Sequence, residues 1–317
     1  MSSRSTAHAW SMGFFAPSGF LPDQTVMDRA AQYLSGRGWR ISAGDSVFAR
    51  EQRFAGPDAL RASELERFAT DQSLDVAVAA RGGYGLSRIL DQIDYSSVVA
   101  RGLPIVGYSD FTAFNLALLA RAGGISFQGP TAVDFSGHTE SAFTMEHFFG
   151  AISQSPYTVE FDATGVGSAE SLEVDGRLWG GNLAMVCALL GTPYFPRVRG
   201  GILFLEDVNE PAYRIERMLL QLLHAGIVQR QKAILLGDFL SIPTMPNDSG
   251  FDLPMVWEYL RSRTAVPLIT GLPFGHGRHR LTLPVGAQAR LSVLGGRARL
   301  QFRGHPTLRV KRFAYER

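Results

Sequence analysis

The sequence predicts an α/β protein built on a mostly parallel β-sheet. Its first half alternates short apolar runs, such as MGFFA (12–16) and DVAVAA (75–80), with amphipathic stretches of helical length. Apolar strands separated by helices are typical of βαβ units. In such sheets the functional residues lie at the carboxyl ends of the strands, so the candidate sites are sought there.

The individual elements follow from apolar periodicity, with proline and glycine at their boundaries. In the first half we predict strands at 12–16, 39–42, 75–80 and 104–109, and helices at 23–38, 57–72 and 111–124. In the second half we predict strands at 200–207, 232–239 and 267–271, a helix at 211–226, and a C-terminal hairpin at 289–302 that turns at Gly295-Gly296. A Ser-, Gly- and Thr-rich stretch at 153–176 indicates a junction between two domains.

Composition excludes several classes of protein. The chain of 317 residues is 45% apolar, which is enough for a sizeable core. Its 31 basic and 29 acidic residues leave a formal charge of +2 without a basic run, so we expect no nucleic-acid partner. No apolar stretch of about 18 residues is present, so we expect no membrane span. The single cysteine, Cys187, predicts a buried thiol and a reducing, cytoplasmic setting.

The first candidate site is the turn Gly107-Tyr108-Ser109-Asp110, between a predicted strand and a predicted helix. A serine at such a turn projects its hydroxyl at the sheet edge, where N–H groups at the helix start stabilise an oxyanion. The alternative is that Ser109 or Asp110 only caps the helix. The nucleophile-elbow pattern is incomplete, because Phe111 occupies the place of its second glycine.

The second candidate is the RGGYG loop (81–85), which directly follows the strand at 75–80. Glycines at this position let the backbone approach a ligand and offer N–H groups to an anion. No dinucleotide- or phosphate-binding motif is complete. The wall of an oxyanion hole and a tight turn therefore both stay open.

The third candidate is an acidic cluster that ends the apolar strand at 200–207. Glu206, Asp207 and Glu210 precede the helix at 211–226. These acids can stabilise the helix N-terminus, or one of them can orient a histidine and stabilise its charged form.

The fourth candidate is His276, which stands between two glycines in the loop 275–279. A histidine in such a loop is not there for packing, and its ordinary pKa of about 6.5 suits a general base. A metal site through His276 and His279 lacks a carboxylate at ligand spacing, so we expect no metal. Together, Ser109, Glu206 and His276 would supply a nucleophile, an orienting acid and a base.

Longer motifs around these residues resemble a known family. The matching segments are ARGGYGLSRIL (80–90), IVGYSDFTAF (105–114), GGNLAMVCALLGTPYFP (180–196), ILFLEDVNEPAYRIERMLLQLLHAGI (202–227) and LPFGHGRHRLTLPVGAQARL (272–291). They span nearly the whole chain and occur in the family's order. The sequence thus resembles the LD-carboxypeptidases of the muramoyltetrapeptide carboxypeptidase type, a serine peptidase family that includes the microcin C self-immunity proteins.

The resemblance implies a flavodoxin-like N-terminal domain with a parallel sheet, here 1–155, which carries the nucleophile Ser109. It also implies a smaller, mostly-β C-terminal domain, here 170–317, with the relay acid Glu206 and the base His276. The catalytic site would lie between the two domains.

Two further sets of site residues complete this expectation. For the oxyanion hole we expect the backbone N–H groups of Gly83 and Asp110. The group that holds the terminal carboxylate of the substrate stays open among Arg81, Arg278 and Arg280.

The activity implied is hydrolysis of the peptide bond between an L-centre and a C-terminal D-amino acid, without a metal or organic cofactor. The implied substrate is a small murein peptide, whose terminal D-alanine is released in peptidoglycan recycling, and the implied assembly is a homodimer. Two alternatives stay open: hydrolysis of microcin-like aminoacyl nucleotides, and a non-catalytic module that binds an anion through the RGGYG loop.

Overall fold

The computed structural model describes residues 10–137, 141–165, 171–244 and 246–308, so the outer ends of the two predicted domains lie outside the described residues. Its first half alternates strands and helices, as the apolar pattern predicts. In chain order the elements are β1 (Ser11–Phe15), α1 (Thr25–Ser35), β2 (Arg40–Ala43), α2 (Asp58–Thr70), β3 (Val76–Ala79), α3 (Tyr95–Ala100), β4 (Ile105–Gly107), α4 (Thr112–Ala122), β5 (Ser126–Gln128) and α5 (Ala142–Ser153).

The second half has longer strands and three further α-helices among the described residues. Its elements are β6 (Tyr157–Asp162), β7 (Ser171–Asn182), α6 (Leu183–Leu189), β8 (Gly201–Val208), α7 (Ala212–His224), β9 (Gln231–Leu240), α8 (Leu253–Arg263), β10 (Leu268–Thr270), β11 (Leu283–Val285), β12 (Gln288–Leu294) and β13 (Arg297–Arg303). The stretch predicted as a domain junction contains β6 and the start of β7. Its polar residues fit strands that leave one face in solvent.

Two sheets organise these elements. The first has six strands in the order β11-β5-β4-β3-β1-β2, and all of its pairings are parallel except that of β11 with β5. The second has seven strands in the order β10-β9-β8-β7-β12-β13-β6, parallel from β10 to β7 and antiparallel from β7 to β6. The α/β class with a parallel N-terminal sheet and a mostly-β second part is confirmed.

Strand β11 ties the two halves together. It lies late in the chain, yet it completes the first sheet, with Pro284 opposite Phe127 of β5. Because β11 directly follows the loop that carries His276, this pairing fixes the loop beside the carboxyl ends of β4 and β5.

The apolar runs predicted to form buried strands lie in the interior of the structure. Every residue of β1, β3 and β4 is buried. Trp179 in β7 is also fully buried, and its Nε1 donates a hydrogen bond to Oε1 of Gln231 at 2.9 Å. Cys187 is buried in α6 as predicted, and burial raises the pKa of its thiol to about 12. Across the described ranges, no helix is both long enough and apolar enough to span a bilayer.

Candidate active site

Ser109 occupies a strained turn between β4 and α4. Its φ of +64° lies in the left-handed region, which residues other than glycine rarely adopt. Gly107 packs tightly beneath the turn, since a Cβ there would lie 2.6 Å from the ring of Phe111. Phe111, which stands in place of the second elbow glycine, is fully buried. The sequence thus forms a strand–turn–helix elbow with Ser109 at its tip.

The RGGYG loop lies directly against Ser109. A Cβ on Gly82 would be 2.9 Å from Cβ and 3.3 Å from Oγ of Ser109, so this position needs glycine for close approach. Gly83 follows with a φ of +105°. The backbone N–H groups of Gly83 and Asp110 donate to no acceptor among the described residues.

The Asp110 carboxylate joins the serine turn to the RGGYG loop. Its Oδ2 accepts hydrogen bonds from the Leu86 backbone N–H at 2.9 Å and from the Ser18 hydroxyl at 2.7 Å. Asp110 is buried, and burial raises its pKa. The side chain therefore fixes the relative positions of the two loops, while the amide of the same residue stays available.

Glu206 and His276 form a hydrogen-bonded pair. Glu206 lies near the carboxyl end of β8, is 1% exposed, and accepts a hydrogen bond on Oε2 from Nδ1 of His276 at 2.7 Å. Because a carboxylate only accepts, Nδ1 carries the proton, and Nε2 keeps its lone pair in the neutral ring. This is the tautomer that a general base requires.

Asn182 links the acids of β8 to the serine turn. Its Nδ2 donates to Oε1 of Glu206 at 3.2 Å and to Oδ1 of Asp207 at 3.0 Å. Its backbone N–H donates to Oγ1 of Thr112, at the start of α4, at 3.0 Å. Asp207 faces the start of α6, where Oδ2 accepts from the Ala184 N–H at 2.9 Å, and burial raises its pKa to about 6. Asp207 thus stabilises α6, whereas Glu206 contacts the histidine.

Tyr108 lies between His276 and Arg280. Its ring centroid is 5.1 Å from that of the imidazole, and the guanidinium carbon of Arg280 is 3.7 Å from the Tyr108 ring. Arg280 is buried and donates to the Gly275 carbonyl and to Oδ1 of Asp134, each at 2.8 Å. These contacts hold Tyr108, the residue before the candidate nucleophile, against the candidate base.

The three arginines predicted to bind a carboxylate lie in different surroundings. Arg280 is engaged in the internal contacts just described. Arg81 donates to the Phe20 carbonyl at 2.6 Å. Arg278 is exposed in the His276 loop, and its guanidinium has no hydrogen bond or ion pair with another described residue.

Asp238 is a further acid at the site that sequence reasoning missed. It lies in β9 beside β8, and its backbone N–H donates to the Phe274 carbonyl at 2.8 Å. A Cβ on Gly275 would lie 2.7 Å from its Cβ, and one on Gly277 would lie 2.6 Å from its Oδ2. Asp238 therefore packs against the glycines on both sides of His276. Burial, followed by the charge of Glu206, raises its pKa.

His279 is turned away from His276. Its Nδ1 is 2.8 Å from the Ser141 hydroxyl, and its ring packs edge-on against Phe143. Within the described part of the chain, no three His, Cys, Asp or Glu side chains converge as metal ligands.

The loops of Ser109, Glu206 and His276 thus meet in one place, through contacts of Tyr108 and Asn182 that sequence reasoning missed. Only their position within the GYSD and GGN motifs could have indicated them. The Ser109 hydroxyl itself forms no hydrogen bond with another described residue. Its proton transfer to His276 therefore stays a prediction.

Comparison with known proteins identifies similar chains. The LD-carboxypeptidase N-terminal domain family matches residues 12–129, and the LD-carboxypeptidase C-terminal domain family matches residues 175–291. The murein tetrapeptide carboxypeptidase of Pseudomonas aeruginosa is 30% identical over 274 residues, which span 84% of this chain and 88% of that protein.

Solved structures of related proteins also superpose on this chain. The muramoyltetrapeptide carboxypeptidase from Oxalobacter formigenes superposes with a TM-score of 0.87 and 38% identity, over 94% of this chain and 100% of the other. The microcin C7 self-immunity protein MccF, in its wild-type apo state, superposes with a TM-score of 0.80 and 21% identity, over 95% and 98% of the two chains. At that identity the second likeness concerns the fold alone.

Proposed function

Because this chain belongs to the LD-carboxypeptidase family, we propose that it releases a C-terminal D-amino acid from an L,D peptide bond. The substrate we propose is a murein tetrapeptide, whose terminal D-alanine would leave during peptidoglycan recycling in the cytoplasm. The observation that carries the proposal is the 2.7 Å contact of Glu206 with His276, with the Tyr108 ring packed against the same imidazole.

The first chemical step is attack by Ser109. Nε2 of His276 takes the proton from the Ser109 hydroxyl, and Oγ forms a bond to the carbonyl carbon of the L-centre. Glu206 holds the ring in the required tautomer and stabilises the imidazolium that forms. Such contacts often tighten only when substrate binds, so we expect the Ser109–His276 hydrogen bond to form in the complex with the peptide.

The oxyanion of the tetrahedral intermediate is held by backbone N–H groups. Those of Gly83 and Asp110 flank Ser109, and neither donates to another described residue. Collapse of the intermediate breaks the C–N bond, and His276 returns its proton to the leaving amine. Water then attacks the acyl-enzyme by the same route, which releases the shortened peptide and free Ser109.

A carboxypeptidase must also recognise the terminal carboxylate. Of the three candidates, Arg278 best fits that role, because its guanidinium is exposed, free of internal partners and two residues from His276. Arg280 fits a supporting role, because its donors and its charge are directed at Gly275, Asp134 and Tyr108. Charge-assisted pairing of a guanidinium with a carboxylate gives both affinity and orientation.

The test is mass spectrometry of a murein tetrapeptide incubated with the wild type and with Ser109→Ala, Glu206→Gln and His276→Ala. We expect loss of one alanine by the wild type and none by Ser109→Ala. A matched tetrapeptide with C-terminal L-alanine should stay intact. Turnover of an aminoacyl sulfamoyl nucleotide in place of the tetrapeptide would instead favour an immunity-type hydrolase, and unchanged peptides throughout would favour a non-catalytic module.

A further inference from the structure

A second charged feature lies away from the candidate active site. Five exposed arginines, here called the arginine cluster, lie within or next to the segment 191–199. Its members are Arg121, Arg177, Arg197, Arg199 and Arg230.

The arginine cluster lacks the counter-charges that several other surface arginines of this protein have. On other surfaces Arg29 pairs with Asp23, and Arg214 pairs with Glu210. None of the five cluster guanidinium groups forms a hydrogen bond or ion pair with another described residue. The whole chain has a formal charge of +2, so the residues outside the cluster carry a net charge of −3. The cluster thus carries a local excess of positive charge on a chain whose remaining residues are net negative.

The cluster lines two adjoining cavities. One, of about 250 Å³, is lined by Arg197, Arg199 and Arg230, and the other, of about 390 Å³, by Arg121, Arg177 and Arg197. Neither cavity has an Asp or Glu in its described lining. Arg197 belongs to both, so a ligand with two anionic groups can contact it from either side. Concave sites of this size suit small molecules, whereas a membrane or a duplex needs a broad surface.

The cluster is separate from the serine, acid and histidine loops. It lies at the amino ends of β8 and β9, just before Gly201 and Gln231, whereas Glu206 lies toward the carboxyl end of β8. The five steps from Gly201 to Glu206 span about 17 Å of strand. Arg121 is in the last turn of α4, whose first turn follows Ser109, and this 11-residue helix is about 16 Å long.

We propose that the arginine cluster is a binding site for a small ligand that carries two or more phosphate groups. Guanidinium groups match phosphate oxygens with two parallel hydrogen bonds, and unpaired arginines pay no cost of breaking an existing ion pair. Inorganic diphosphate and the phosphate chain of a nucleotide share this chemistry, and the experiment distinguishes them.

The test is isothermal titration of the full chain with inorganic pyrophosphate and with ATP at low ionic strength. We expect saturable binding that weakens as salt is added, and about tenfold weaker binding in Arg197→Gln and Arg199→Gln. ATP binding much tighter than pyrophosphate would assign a nucleotide, and equal binding would assign the phosphates alone. The matched control is Arg290→Gln, because this exposed arginine is already paired with Glu173 and its replacement removes the same charge.

Either of two results would overturn the proposal: no saturable binding of pyrophosphate or ATP, or binding by Arg290→Gln that is weakened as much as binding by the cluster variants. Parallel titrations with duplex DNA and with anionic vesicles would overturn it too if only these two probes bind. Peptide hydrolysis without added phosphate should stay at the wild-type rate in Arg197→Gln. This last readout shows that the variant is folded and separates the proposal from the carboxypeptidase assignment.

Discussion

Glu206 and His276 lie 70 residues apart in the chain, yet their side chains meet at 2.7 Å. The contact leaves Nε2 of His276 as the free nitrogen, which is the one a nucleophile must reach. Asp238 packs against the glycines on both sides of this histidine, and the Tyr108 ring packs against its imidazole. The loop is therefore held from three sides.

Replacing the acid tests which carboxylate orients His276. We expect Glu206→Gln to lower kcat by roughly a thousandfold, because the amide can present N–H to Nδ1 and stabilise the wrong tautomer. The matched control is Glu210→Gln, which removes an acid that pairs with Arg214 at 2.6 Å. Its kcat should stay within about twofold of the wild type. Equal losses in both variants would show that the orienting acid is wrongly assigned.

A single methyl group tests the approach of the RGGYG loop to the nucleophile. In Gly82→Ala the added Cβ would lie 2.9 Å from Cβ of Ser109, so the loop or the serine must shift. We expect kcat to fall at least about tenfold, because a displacement near 1 Å at the reacting atoms is costly. Gly36→Ala is the control, since its φ of −61° suits alanine and its nearest contact is 3.4 Å. Full activity of Gly82→Ala would exclude this loop from the oxyanion site.

Steady-state kinetics tests the assignment of Arg278. We expect Arg278→Gln to raise KM about tenfold or more with a smaller change in kcat, because a contact to the terminal carboxylate contributes to binding throughout the reaction. Arg280→Lys should lower kcat instead, because a lysine cannot reproduce the planar contact with Tyr108 or the paired donors. A kcat effect in Arg278→Gln together with a KM effect in Arg280→Lys would instead assign carboxylate binding to Arg280 and the supporting role to Arg278.

The pH dependence of stability tests the burial of Asp207. Its pKa rises from 3.8 to about 6 in the folded protein, so between these values the native state binds a proton that the unfolded chain has released. Its stabilising contribution is complete below about pH 4 and is lost as the pH rises through about 6. This loss amounts to at most about 3 kcal/mol.

Denaturant unfolding of the wild type and of Asp207→Asn measures this loss. From about pH 4 to about pH 7, the free energy of unfolding of the wild type should fall relative to that of the variant. Parallel profiles for the two proteins would mean that Asp207 titrates as it does in the unfolded chain.

The sequence predicts the βα alternation well, because local apolar runs form the buried strands. Strands β1, β3 and β8 and helices α4 and α7 lie within about two residues of their predicted bounds. Helix α8 was missed, although Asp252 caps it through the Met255 N–H and a proline follows at its start. Strand β11 could not be predicted, because three residues, Leu283–Val285, take their conformation from a partner strand more than 150 residues earlier.

The candidate site shows the same division between local and distant effects. The turns that hold Ser109 and His276 follow from local glycines and strand ends, and the resemblance selects Glu206 from three nearby acids. Asp238 has no local signal, and Asn182 has only its place in the GGN motif, because their importance depends on contacts with residues from other strands. The sequence likewise does not predict the burial of Arg280, because an arginine close to a catalytic histidine loop is equally suited to bind an anionic substrate.

Active-site labelling tests the central claim most directly. The wild type is incubated with a serine-reactive fluorophosphonate, and the modified peptide is identified by mass spectrometry. We predict one adduct, on Ser109, that is absent in Ser109→Ala and strongly slowed in His276→Ala. Labelling that persists in Ser109→Ala, or maps to another residue in the wild type, would contradict the account.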